Sequence, residues 1–162
     1  MWGASGSLRS MSARLFVPHD FAVPQGLSGE GFRLEPLQPR HNAADHAAWM
    51  SSIEHIRATL GFQERGWPPL AGMSLAANLR DLERHADDFE KRVGFTYSVL
   101  DRRDEVIGCV YIYPSRADAR ITQVRSWVRA DRSNLDGPVH DAVTGWLSSV
   151  WPFEQVSYRS GT

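Results

Sequence analysis

The chain of 162 residues is poor in several things at once, and each scarcity excludes something. One cysteine, Cys109, cannot close an intrachain disulfide or supply the thiolates of a zinc site, so a reducing, cytoplasmic setting fits best. No stretch approaches the eighteen or so uninterrupted apolar residues of a membrane helix. Eighteen basic against nineteen acidic side chains give a net charge of -1, which leaves no bulk positive field to hold nucleic acid or an anionic bilayer. Met1 to Ser12 contains no apolar run of signal-peptide type. Lysine occurs once, at Lys91, and the arginines that replace it are scattered rather than clustered. Repeats and low-complexity tracts are absent. The length itself is that of one domain with a substantial core.

Organisation follows from punctuation and period. Residues 1–31 carry Gly3, Gly6, Gly26, Gly29 and Gly31 with Pro18 and Pro24 and hold no regular period, so they read as an irregular N-terminal arm in front of a domain at 32–162. Phe32, Leu34 and Pro36 alternate with Arg33 and Glu35 as a strand, and Pro39 opens a helix. Ser51-Ser52-Ile53-Glu54 matches a capping box and predicts a second, short helix. Leu75, Leu79, Leu82, Ala86, Phe89 and Val93 form the cleanest apolar stripe in the chain and predict a long helix. Phe95–Asp101 and Val106–Tyr113, joined by the polar turn Arg102–Glu105, predict a hairpin. A strand at Ile121–Val128, a loop at Arg129–Asp136, a helix with the stripe Val139, Ala142, Val143, Trp146, Leu147 and Val150, and a strand at Gln155–Tyr158 complete the order β-α-α-α-β-β-β-α-β. The last strand–helix–strand unit should be right-handed and therefore parallel. The class is α+β, a mixed sheet with helices on both faces.

A hairpin feeding a βαβ unit, after one strand and an α-helical excursion, resembles the Gcn5-related N-acetyltransferase (GNAT) superfamily. The residues that carry the resemblance are Phe32-Arg33-Leu34-Glu35-Pro36-Leu37, Val106-Ile107-Gly108-Cys109-Val110 and Trp127-Val128-Arg129-Ala130-Asp131. It implies an acyl-CoA-dependent N-acyltransferase that takes acetyl-CoA as co-substrate and acts on a small-molecule or peptide amine. It also implies that the coenzyme lies where the two parallel strands splay, against Trp127, Val128 and Arg129, with Arg132, Ser133, Asn134, Leu135 and Gly137 around the diphosphate. Exposed amides at a helix N-terminus are an anion site on physical grounds alone. The acceptor wall in the family comes from the helices before the hairpin, here Asp45, Trp49 and Trp67, with Tyr97 and Tyr111 as hairpin residues able to face the cleft.

The chain departs from the family at three points. Gln123 stands where a glutamate base is common and cannot accept a proton. The loop Arg132-Ser133-Asn134-Leu135-Asp136-Gly137-Pro138 has one glycine, and its proline lacks a donor. The sequence ends at Thr162, before the two strands that usually follow, and no tyrosine matches the family's usual acid. No catalytic residue is therefore assigned. A degenerate, non-catalytic GNAT-like module that binds a ligand or protein is the alternative from another class. His41, His46 and His55 have no metal-ligand spacing, so no metal is expected. Cys109, in an apolar strand, reads as core. A final strand left as a sheet edge predicts a homodimer.

Overall fold

The computed structural model describes residues 15–159. Six strands form one sheet in chain order: β1 (Leu27–Ser28), β2 (Phe32–Pro36), β3 (Phe95–Asp101), β4 (Val106–Pro114), β5 (Ile121–Val128) and β6 (Gln155–Tyr158). Pairing is antiparallel from β1 to β5 and parallel between β5 and β6. The hairpin and the parallel βαβ unit are as the sequence predicts; β1 is an additional two-residue strand that Gly26 and Gly29 flank. A 3-10 turn at Pro39–His41 leads into α1 (Asn42–Met50) and α2 (Ile53–Arg57), α3 covers Leu75–Glu90 and α4 covers Asp136–Ser149.

Both faces of the sheet are covered, which is why every residue of β3 is buried and why its sequence reads as a continuous run instead of an alternation. One face packs Val99, Val110, Ile112, Val124 and Val128 against Val139, Val143, Trp146 and Leu147 of α4. Residues 15–31 join that core through Val17 and the rings of Phe16 and Phe21, and Phe16 stacks on Phe153 at 4.9 Å. The other face packs Cys109 and Trp127 against Ala48, Trp49, Ile56, Phe62 and Leu82 from the helical excursion.

Three local expectations are revised. The capping box at Ser51 does not form: α2 starts at Ile53, and the Ser52 hydroxyl accepts from the Ala130 amide at 2.8 Å across the fold. The buried side of α3 is rotated, so that Asn78 and Leu82 go in while Leu75 and Val93 at the ends of the stripe remain nearly half exposed. The reason is polar pairing, since the Asn78 amide donates to Asp45 at 3.0 Å and accepts from the Trp49 indole at 3.1 Å. Finally, Arg129–Asp136 is not an open loop, because a 3-10 segment at Ala130–Leu135 runs straight into α4.

β4 and β5 approach so closely at Gly108 that a Cβ there would lie 2.1 Å from the Trp127 carbonyl oxygen, a backbone atom fixed by the ladder. Gly108→Ala is expected to cost about 3 kcal/mol, or roughly 6–12 °C in melting temperature. Gly137, in the first turn of α4 with nothing within 4 Å of its missing Cβ, is the control: Gly137→Ala should stabilise by about 0.5–1 kcal/mol. Thermal melts of the two variants check both.

Candidate functional site

The ladder between β5 and β6 has four pairs, from Ile121–Gln155 to Val124–Tyr158, and then stops. Arg159 follows with φ 58°, in the left-handed region. Among the described residues no strand pairs with Arg125–Val128 of β5 on that side, and the two parallel strands part beside the start of α4, leaving a gap in the ladder. Arg159 spans it. Its guanidinium donates to the Ser126 carbonyl at 3.0 Å and to both oxygens of Asp136 at 2.6 and 2.8 Å, with its side chain only 12% exposed. The Tyr158 hydroxyl meets the Ser126 hydroxyl at 2.5 Å, and burial pushes its pKa up to about 12.

Around this gap the structure gathers the residues expected to hold a coenzyme, from Trp127 to Gly137, though in differing states. Trp127 and Val128 are core side chains on opposite faces of β5. Several amides already have acceptors or serve the 3-10 turn: Arg129 donates to Ile107 at 2.8 Å, Ala130 to Ser52, Arg132 to Arg129 and Asp136 to Ser133. Asp136 is the first residue of α4 and pairs with Arg159. Arg129 is paired with Asp131 at 2.9 Å, and Arg132 with the buried Asp101 at 2.8 Å. Ser133, Asn134 and Gly137 are exposed, and Leu135 packs against the core.

The acceptor side lies on the sheet face covered by α1, α3 and the segment at 58–74. Alternation on β4 and β5 puts Cys109, Tyr111 and Tyr113 beside their cross-strand partners Trp127, Arg125 and Gln123. Tyr97 is on the opposite face, packed on Trp146 and Trp151, with its hydroxyl on the Pro24 carbonyl. Asp45 and Trp49 lie beneath this surface. Asp45 is 4% exposed, accepts from Asn78 and from the Cys109 thiol at 3.3 Å, and burial raises its pKa. What stays accessible is a floor of Tyr111, Tyr113, Gln123 and Arg125, walled by Trp67 and by His85 of α3, all partly exposed. The Trp127 indole donates to the Tyr111 hydroxyl at 3.0 Å, and the Trp67 ring lies over Trp127 and Tyr111.

Two residues of this floor were not singled out from sequence. His85 sits three residues after Leu82 and four before Phe89, in phase with the apolar stripe, and that phase was the available signal. The Tyr113 hydroxyl donates to Asp88 at 2.9 Å, so it accepts from His85 Nδ1–H at 2.8 Å and leaves the Nε2 lone pair free. Burial, and secondarily Arg84, pushes the His85 pKa down to about 4. Arg125 shares the face of Gln123 and Trp127 by strand alternation. Its Nε donates to the Gly61 carbonyl at 2.9 Å, and burial together with Arg65 lowers its pKa to about 10. Among the described residues no cluster of three His, Cys, Asp or Glu could hold a metal ion, and no helix is long and apolar enough to cross a membrane.

No protein-family model and no curated protein matches the sequence. Solved structures do match the fold. The ribosomal-protein-S5-alanine acetyltransferase from Vibrio fischeri is similar with a TM-score of 0.64 at 13% identity, over 82% of this chain and 72% of that one. The microcin C7 self-immunity acetyltransferase MccE, solved with acetyl-CoA and AMP, gives 0.60 at 14% identity over 80% and 71%. Mycobacterium smegmatis RimJ, solved with CoA-disulfide, gives 0.61 at 13% identity over 83% and 67%.

The lowered His85 pKa has a consequence for stability. Native His85 stays neutral to about pH 4, whereas in the unfolded chain it titrates near its ordinary 6.5, so the unfolded state binds the extra proton between those values. Stability is therefore complete above about pH 6.5 and falls as pH drops towards 4. His41, also lowered by burial, contributes with the same sign as pH falls below its ordinary value. His85→Gln is expected to flatten the slope of melting temperature against pH between 6.5 and 4.5, as scanning calorimetry would show.

Proposed function

Because this chain has the fold of the Gcn5-related N-acetyltransferases, we propose that it is an acyl-CoA-dependent N-acyltransferase, carrying acetyl from acetyl-CoA to an amine. The observation that supports this most directly is the gap beside Arg125–Val128, which opens at the start of α4 and adjoins the partly exposed floor of Tyr111, Tyr113, Gln123 and Arg125. In this reading the amine nitrogen attacks the thioester carbonyl carbon, the C–S bond breaks, and the thiolate leaves and takes up a proton. The Ser126 carbonyl, now satisfied by Arg159, is the acceptor a pantetheine amide would use. Coenzyme binding then exchanges one donor for another and frees a guanidinium beside the diphosphate. Arg132 is better placed to hold Asp101 than to serve the coenzyme.

The proton inventory decides how the amine is prepared. Gln123 cannot take a proton, and His85, neutral with a pKa of about 4, accepts a hydrogen bond at Nε2 without being a strong base. The acceptor must therefore lose its ammonium proton to solvent, with His85 orienting the neutral amine directly or through water. The rate is expected to climb tenfold per pH unit up to the pKa of the amine itself. A plateau beginning near 6.5 in the pH–rate profile would instead reveal a base within the protein.

Coenzyme binding is tested by isothermal titration. Acetyl-CoA should bind at micromolar strength, and Gly137→Glu, which adds a carboxylate beside the start of α4 at a position with open space, should weaken it about tenfold without lowering the melting temperature. Absence of heat with the unaltered protein would remove the enzymatic reading and leave the non-catalytic binding module. The same proposal includes a homodimer through β6, the outermost strand, whose Val156 is exposed, and light scattering reads that state.

A further inference from the structure

Arginines that are partly buried are answered elsewhere in this molecule. Arg129 has Asp131, Arg132 has Asp101, Arg159 has Asp136 and Arg33 has Glu35 and Asp104, while Arg57 and Arg92 donate to backbone carbonyls. Arg125, like Arg57, has a backbone carbonyl and no carboxylate, but it stands on the accessible floor. One of its nitrogens, Nε, is used on Gly61, and neither Nη nitrogen has a partner among the described residues. Arg65 lies in the turn that follows Gly61, its amide on the Phe62 carbonyl at 3.1 Å, and its exposed guanidinium has no carboxylate partner among the described residues. A half-buried guanidinium with an exposed one in the adjoining turn makes this corner of the floor positive, a setting that favours an anion.

The local structure fixes this arrangement instead of leaving it to a wandering side chain. Gly61 has φ 99°, and a Cβ there would lie 3.4 Å from Arg125 Cγ, so the left-handed turn at 61 brings its carbonyl onto Nε. With Nε held, the planar fork directs both Nη groups away from Gly61, the geometry that receives two oxygens of a carboxylate or phosphate. Arg125 is the cross-strand neighbour of Tyr111 and the first residue of β5 beyond the last pair with β6. It therefore stands where the accessible floor meets the gap.

We propose that Arg125 and Arg65 form an anion subsite that takes the carboxylate or phosphate of the acceptor, so that the acceptor class is an amine bearing an acidic group. This rests on the acyltransfer reading for the words "acceptor" and "amine", but the anion subsite itself does not. A bare ammonium would meet two guanidinium groups and be repelled. An acidic group on the same molecule offsets that repulsion and anchors it, while the guanidinium field still favours the neutral, nucleophilic form of a nearby amine.

The first arm titrates the full chain with inorganic phosphate, followed by the Arg Nε–Hε resonances. The Arg125 signal should shift with saturation. Affinity should fall about tenfold in Arg125→Gln and measurably in Arg65→Gln, and should be partly kept in Arg125→Lys. Arg116→Gln, an exposed position away from the subsite, should change nothing. No shift of the Arg125 signal, or a phosphate affinity, read from the remaining Arg Nε–Hε signals, that is unchanged in Arg125→Gln, overturns the subsite. The second arm repeats the titration with acetyl-CoA present. Phosphate binding that persists supports an acceptor site, whereas competitive displacement assigns the anion to the coenzyme and overturns the proposal. The third arm measures thiol release from acetyl-CoA with paired amines that differ by one carboxylate. A preference for the acidic member that disappears in Arg125→Gln supports the proposal, and equal use of both members overturns it. If acetyl-CoA fails to bind while phosphate binds through Arg125, the acyltransfer reading falls and the anion subsite stands.

Discussion

The early end of the β5–β6 ladder is the constraint from which most of the molecule's chemistry follows. Four backbone pairs hold the parallel strands, and beyond Val124–Tyr158 the strand β5 continues while Arg159 has left-handed φ, with no further β5–β6 pair among the described residues. A strand that runs on alone leaves carbonyl and amide groups that must find partners from elsewhere. The Arg159 guanidinium supplies one, tying Ser126 to Asp136 at the start of α4, so strand, helix and final strand are joined at a single buried point. The gap and the bridge across it are two aspects of the same event.

The bridge also explains the electrostatic character of the region. Asp136 at the first turn of α4 lies at the positive end of the helix dipole and holds Arg159, and Asp101, carried to the end of β3 by the hairpin turn, holds Arg132. Asp101 does a second task, accepting from the Arg103 and Glu105 amides that close the turn, and these bonds together with Arg132 keep its pKa low despite burial. Local neutralisation removes much of the field that an anion would feel at this end of the sheet. Arg125, on the neighbouring part of the sheet, has the Gly61 carbonyl and no carboxylate partner among the described residues, which gives the two parts of the candidate site different electrostatic character.

The accessible floor depends on a polar layer beneath it. Asp45 is held by Asn78 and Cys109, and Asn78 in turn accepts from Trp49, so a buried carboxyl is satisfied by an amide, a thiol and the helices that bring them. This layer seats α1 and α3 against the sheet at a fixed distance. The rings of Trp67 and Tyr111, packed on the buried Trp127, then form the surface above it, and His85 reaches that surface from α3 with its tautomer set by Tyr113 and Asp88. Asp45 and Trp49 support the floor from below; Tyr97 serves the α4 side.

Period and punctuation determined the element order, the hairpin and the parallel closing unit, because side-chain alternation at two residues and helical recurrence near three and a half are properties of neighbouring residues. The turn at Arg102–Glu105 and the stripe of α4 are local in the same sense. What only the tertiary structure decided are facts about partners distant in sequence. The Ser52 hydroxyl serves Ala130 instead of its own helix, Asp136 serves Arg159, and Asn78 displaces Leu75 from the buried side of α3 because Asp45 and Trp49 need its amide. Arg125 and His85 became visible only when the sheet brought β4, β5 and α3 onto one face. A sequence states which groups a residue can offer; which of them are left unanswered is settled by the fold, since a hydrogen bond or an ion pair depends on distances that no spacing along the chain contains.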